Sequence, residues 1–349
     1  MDRHLINEDA SLLDALARLN ALSGQVMTLL VIDGDGVMRG TLTDGDVRRA
    51  LLRGVALDSP VTDAVHREFR FLREGEPEVG ALREIRKQGI RLIPVLDADG
   101  KVKRIIDTRV TRTILPVSAI LMAGGKGERL RPMTLTTPKP LLKVGEKAII
   151  DYNIEALAGV GVEDVSVTVN YLAEQLESHF STPVAGVKVK CVRETKPLGT
   201  IGSAALVELP EEGATIVMNS DLLTTISFED MYLRHTEEGA DVTIAAVPYN
   251  VSVPYAILET EGSSVKSLEE KPSYSYYANA GIYIFSNRLL RSLPSDERTD
   301  ATDLIENAIA AGKRVTYFPI NGTWIDIGSP ADFRHAQELM RHIRQTQEN

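Results

Sequence analysis

The sequence predicts an α/β protein: an open, mostly parallel mixed sheet with helices on both faces, preceded by a smaller α+β unit. Three observations carry this. From Pro116 onward, short apolar runs alternate with amphipathic helical patterns, the arrangement that builds parallel sheets. Before that, LLVIDGDG at 29–36 recurs as IPVLDADG at 93–100, an offset of 64 (97 − 33). Finally, the apolar run 117–122 opens directly into a glycine-rich turn, and such sheets bind ligands at the carboxyl ends of their strands.

In the repeated half, a helix precedes each apolar strand. Leu12, Leu16 and Leu19 share one helical face; Val79, Leu82 and Ile85 share another, with Gly89 as its stop. The DGDG and DADG turns read as hairpins joining two strands. One copy cannot cover its own sheet, so the two copies are expected to form one unit, 1–115, divided at about 58/59. Gly40-Thr41-Leu42-Thr43-Asp44-Gly45-Asp46 then leads into a helix at 46–53, with Thr43 and Asp44 suited to cap it.

In the second half, 116–349, strands are expected at 117–122, 165–169, 187–192, 214–218, 242–247, 282–285 and 315–319. Helices are expected at 150–157, 228–235 and 330–345. The turn after the first strand is Ala123-Gly124-Gly125-Lys126-Gly127. Glycines let backbone N–H groups close around phosphate oxygens and accept positive φ. It is neither GxGxxG nor a P-loop, because no GKS or GKT follows. Arg129 and Lys139 add fixed positive charge where a leaving pyrophosphate would develop negative charge. Asp221 ends the strand VMN, and Asp326 follows the strand at 315–319 and an Asn321-Gly322 turn. Two carboxylates plus triphosphate oxygens suit Mg²⁺, which takes few protein ligands and keeps waters. The histidines at 4, 66, 179, 235, 335 and 342 show no metal spacing, and no Ser–His elbow or thiol centre is evident.

Composition narrows the class. The chain has 349 residues, 43% apolar and 25% charged, with net charge −10. That balance argues against a general nucleic-acid or anionic-membrane binder. No apolar run reaches membrane-spanning length and the N-terminus lacks a signal-peptide core, so a cytoplasmic protein is expected. Cys191, without a disulfide partner, reads as a small buried hydrophobe.

The string ILMAGGKGERLRPMTLTTPKPLL at 120–142 resembles the GGxGxRL…PKPLL signature of the sugar-1-phosphate nucleotidyltransferases. The resemblance implies a Rossmann-like, GT-A-like domain. It makes Asp221 and Asp326 the metal-holding pair, the latter inside WIDIGSP, which is similar to the family's WxDxGTP. Glu270 and Lys271 resemble the family's EKP motif, which binds sugar hydroxyls and sugar phosphate. Asn279 and Gly281 match a strand start whose backbone approaches the sugar. Glu194, Gly199 and Thr200 lie in ETKPLGT, similar to the guanylyltransferase branch. A carboxylate only accepts hydrogen bonds, and guanine offers adjacent N1–H and N2–H donors where uracil and thymine offer one. GTP is therefore favoured, with a uridylyltransferase or a lapsed nucleotide sensor as alternatives. Ser220 and Ala256 stand where relatives usually have glycine, which would narrow the sugar pocket. No hexapeptide repeat is present, so the acyltransferase β-helix of some relatives is not expected.

The first half resembles a tandem pair of CBS domains. In that family, residues at the positions of Thr43 and Asp46 meet the ribose and phosphate of an adenine nucleotide. In the second copy these become Asp107 and Val110, so at most one such site is expected. CBS pairs associate face to face, which implies a homo-oligomer.

Overall fold

The computed structural model describes residues 2–74, 79–109, 111 and 113–348. Val110, expected to differ from Asp46 in the second copy, lies outside them. The chain divides into two compact units, Met1–Ile114 and Leu115–Asn349. No helix among the described residues is long and apolar enough to cross a membrane.

The repeat is realised strand for strand in the first unit. Thr28–Ile32 and Met38–Thr43 recur as Leu92–Leu96 and Val102–Asp107. Each pair is antiparallel, with a bulge at Val31/Ile32 and again at Val95/Leu96, the same offset of 64 (95 − 31). Each hairpin turns because an aspartate side chain accepts the backbone N–H groups ahead of it: Asp33 from Asp35 and Val37, Asp97 from Asp99 and Lys101. Leu30 and Met38 from one copy pack with Leu92 and Leu96 from the other. The copies thus cover each other with apolar surface that neither could bury alone.

The second unit is built on a seven-stranded sheet. Its order is Val189–Arg193, Val165–Val169, Val117–Met122, Ala214–Asn219, Ser273–Ser286, Val242–Ser252, Val315–Pro319. Four pairings are parallel and two, both made by Ser273–Ser286, are antiparallel. Strands 117–122, 165–169 and 214–219 are almost wholly buried, as expected where both faces are covered. Ile120, Val217 and Phe285 pack with Leu304, Ile305 and Ala308 of helix Ala301–Ala310. The alternate residues Ala119, Leu121, Ile216, Met218 and Ile284 are equally buried. Cys191 departs from expectation: it lies on the edge strand and is half-buried, which pushes its thiol up to about 11.

Strands Val242–Ser252 and Ser273–Ser286 are far longer than their apolar runs and leave the sheet as a ribbon, exposed from Tyr249 to Ser252 and from Ser273 to Tyr277. The hairpin Ile257–Glu261/Ser264–Glu269 follows, wholly exposed.

His235 is buried, with Nδ1 2.9 Å from the Thr243 hydroxyl. Burial holds its pKa below the ordinary 6.5, against a small opposing pull from Asp241. The unfolded chain takes up this proton first, so stability is present above 6.5 and declines as pH falls through that value. The slope from this one group is at most about 1.4 kcal/mol per pH unit. Denaturation midpoints compared between about pH 7.5 and 5.5 should fall less for His235→Gln than for the unaltered chain.

Candidate active site

Four parallel strands end at the cleft. Met122 delivers Ala123, whose N–H donates to Thr168 O at 3.0 Å. Gly127 then takes φ +60, and a Cβ there would stand 3.0 Å from Thr134 and 3.1 Å from Lys139. A side chain would be both strained and crowded, so glycine is required at that turn. At Gly125 a Cβ would meet only open space; this residue faces the cleft and leaves its backbone accessible. The turn Glu128–Leu130 buries Leu130 against Ile325 and Ile327, which leaves Arg129 pointing outward beside Gly328.

The two aspartates, over a hundred residues apart, are joined by a small antiparallel ladder. Leu222–Thr224 pairs with Trp324–Asp326, in register Leu222↔Asp326, and Ile327 N–H donates to Asp221 O at 3.1 Å. Lys139 is buried, forms an ion pair with Asp221 and lies 3.9 Å from Asp326. Burial first, then the charge of Asp221, lifts the Asp326 carboxyl above its ordinary range; Lys139 and Arg129 oppose this. Asp221 Oδ1 is buried with no hydrogen-bond partner. Ser220 lines the first hollow, and its hydroxyl donates to Met122 O at 2.7 Å, tethering the strand end before the glycine turn.

Two adjoining hollows form the cleft. One, about 280 Å³, is walled by the glycine turn, Arg129, Lys139, Asp221 and Gly328. The other, about 440 Å³, shares Met122, Gly125 and Asp221 and runs to Glu194, Leu198 and Thr200. Glu194 is buried; it accepts the Leu198 N–H at 3.2 Å and lies against Gly124, where a Cβ would stand 2.8 Å from Oε1. Burial lifts its pKa, while Leu198 N–H and the Ser203 hydroxyl pull it back.

The sequence-predicted residues therefore divide. Ala123, Gly124, Gly125, Gly127, Arg129, Lys139, Asp221, Glu194, Gly199 and Thr200 line the two hollows, and Asp326 adjoins Lys139. Lys126 is exposed and outside the lining. Asn279, inside its strand, accepts the Gly281 N–H at 2.9 Å, while Gly281, φ +69, packs on Asn219. Glu270 and Lys271 are exposed just after the hairpin that ends the ribbon, with Lys271 at φ +45, an uncommon conformation for a residue with a side chain. Ala256 lies between ribbon and hairpin, away from the lining. Arg298, Asp300 and Ser203 line the second hollow and were not anticipated. Asp300 precedes helix Ala301–Ala310 as its N-cap, and its bond to Thr200, a hundred residues away, has no local signal in the sequence.

In the first unit, a cleft of about 600 Å³ is lined by Thr41, Thr43, Phe69 and Arg70 among others. Thr43 caps helix Asp44–Leu52 in a reciprocal box with Asp46 rather than Asp44. The Asp46 carboxylate accepts from Thr43 and pairs with Arg49.

A mostly parallel sheet whose strands end at a glycine turn, fixed cations and paired carboxylates is an α/β arrangement suited to phosphate-bearing ligands. The nucleotidyl transferase family profile matches residues 118–342, and the chain belongs to that family; the CBS domain profile matches residues 2–53. The chain is 34% identical over 226 residues to the mannose-1-phosphate guanylyltransferase catalytic subunit beta of Dictyostelium discoideum, covering 62% of each chain. It is 33% identical over 230 residues to the probable mannose-1-phosphate guanylyltransferase 2 of Arabidopsis thaliana, covering 62% of this chain and 63% of that one. The chain thus spans less than two thirds of the length of these relatives. Among solved structures, HddC from Yersinia pseudotuberculosis complexed with GMP-PN superposes with TM-score 0.50 at 23% identity, over 64% of this chain and 99% of that one. A putative glucose-1-phosphate thymidylyltransferase from Bacillus anthracis gives TM-score 0.50 at 22% identity, over 64% and 95%. These two establish likeness of fold.

Proposed function

We propose that the chain is a sugar-1-phosphate nucleotidyltransferase that joins a sugar 1-phosphate to an NTP, GTP by preference, giving an NDP-sugar and pyrophosphate. On this reading it works with Mg²⁺, in the cytoplasm, as a homo-oligomer. One observation carries it: Arg129, Lys139, Asp221 and Asp326, from four separate segments, meet beside the glycine turn. The sugar phosphate oxygen attacks the α-phosphorus in line, and the bond to the β-phosphate oxygen breaks. A phosphate dianion is already a nucleophile, so the chain has to position and neutralise rather than abstract a proton. Backbone N–H groups around Gly125 hold phosphate oxygens, Arg129 takes the leaving pyrophosphate and Lys139 steadies the reacting phosphates.

The donor set fits Mg²⁺. It consists of two carboxylates, and one oxygen of Asp221 is buried without a partner, where a hard cation would satisfy it. When bound, the ion supplies charge neutralisation across adjoining phosphoryl groups.

Preference for GTP is supported by Glu194 and by the names of the guanylyltransferase relatives. Glu194→Gln is expected to lower kcat/KM for GTP by roughly 10- to 100-fold, the weight of a charge-assisted hydrogen bond. Its preference for GTP over UTP should collapse. Pyrophosphate release in competition among GTP, UTP, dTTP and CTP measures this; unchanged preference would remove Glu194 from base recognition. The cleft in the first unit, with an aromatic ring, hydroxyls and Arg70, supports an adenine nucleotide there. A panel of sugar 1-phosphates assayed with and without AMP or ATP tests both the sugar and the regulation.

A further inference from the structure

Part of the wall of the second hollow is made by a segment with no role so far. Arg298 and Asp300 line the same hollow as Glu194, Pro197 and Leu198. The segment is bound to the loop that follows Glu194. Thr200 N–H donates to Asp300 Oδ1 at 2.9 Å, and Ala301 N–H donates to the Thr200 hydroxyl at 2.8 Å. Ile201 and Gly202 N–H groups both donate to Thr299 O. Gly199, φ +83, has no room for a side chain because the Thr299 backbone lies against it. The other oxygen of Asp300 takes one Arg298 amino group at 2.7 Å. The Arg298 side chain is 69% exposed, so its remaining donors stay available. Loop and arginine form one unit, and Arg298 is the only cation lining this hollow among the described residues.

Of the bases, only guanine offers two adjacent donors to a carboxylate together with two adjacent acceptors to a guanidinium. Guanine carries donors N1–H and N2–H on one edge and acceptors O6 and N7 on the next; adenine puts a donor, N6, where guanine has O6. Uracil and thymine have no N7. We propose that Arg298 donates to O6 and N7 of the guanine while Glu194 accepts from N1–H and N2–H, which makes Arg298 a second specificity-determining residue, held in place by Asp300. This rests on the GTP reading above.

The test uses 7-deaza-GTP, which lacks the N7 acceptor, with the full chain and an Arg298→Ala variant. The unaltered enzyme should prefer GTP over 7-deaza-GTP by about fivefold or more, the lower end for a bidentate arginine–guanine pair. In the variant, kcat/KM for GTP should fall about tenfold, mostly through KM. Its preference over 7-deaza-GTP should vanish. Discrimination against inosine triphosphate, which lacks the N2 amine, should survive because Glu194 is untouched. Equal losses for GTP and 7-deaza-GTP, or no preference in the unaltered enzyme, would overturn the role of Arg298 and leave the GTP reading standing. Turnover of UTP without turnover of GTP would overturn both.

Discussion

Asp326→Asn is expected to lower turnover at least roughly a thousandfold, several kcal/mol of lost transition-state stabilisation, while leaving the fold intact. The two effects separate because of how the carboxylate is held. Burial and the neighbouring charge of Asp221 lift the Asp326 carboxyl above the ordinary range, so at neutral pH its ionised form is penalised in the folded state. Asparagine removes that penalty, and without metal the variant should melt no lower than the unaltered chain. Added Mg²⁺ should raise the melting temperature of the unaltered chain and not that of the variant, a readout independent of activity. Asp221→Asn should behave differently. It deprives buried Lys139 of its ion-pair partner, which costs about 1–3 kcal/mol even with Asp326 nearby. Retained Mg²⁺-dependent turnover by Asp326→Asn would remove that residue from the metal site.

Much of this arrangement was legible in the chain, for identifiable reasons. Asp33 and Asp97 each organise their own hairpin through N–H groups two and four residues on, so the repeat is local and survives in sequence. Strands 117–122 and 214–219 are almost wholly buried, and near-continuous apolar runs give them away. An apolar run marks only the buried end of strand 273–286, at 282–285. Its other half carries Tyr274, Tyr276 and Tyr277 in the open, and an exposed ribbon has no apolar run to read. Nor does an apolar run record direction, so the antiparallel pairing of this strand was invisible. Asp221 and Asp326 were recognisable one at a time as carboxylates at strand ends. That they stand together depends on the register Leu222↔Asp326, a pairing across the chain. Thr43 and Asp46 show the converse. The local capping pattern was correct in kind, but the box uses Asp46 rather than Asp44, so the residue assigned to a ligand by resemblance also holds its own helix.

Gly328→Ala is the other substitution expected to cost most, although glycine there contributes no functional group. Its backbone lies outside the left-handed region, so alanine is conformationally acceptable. The added methyl would stand 2.9 Å from Arg129 Nη2, too close for the contact to persist, and 3.0 Å from Nη1 and 3.1 Å from Cζ, where the neighbour must give by a few tenths of an ångström. These are the three nearest neighbours, all at the tip of one exposed, flexible side chain. The guanidinium therefore yields and the backbone does not. Turnover should fall by up to about a hundredfold, the ceiling being the loss of one preorganised charge at the leaving group, with a melting temperature close to that of the unaltered chain. Arg129→Ala should cost a similar factor. In the Arg129→Ala background, Gly328→Ala should cost little more, because the contact through which it acts is already gone. Full additivity of the two losses would mean that Gly328 serves the reaction by some route other than seating Arg129.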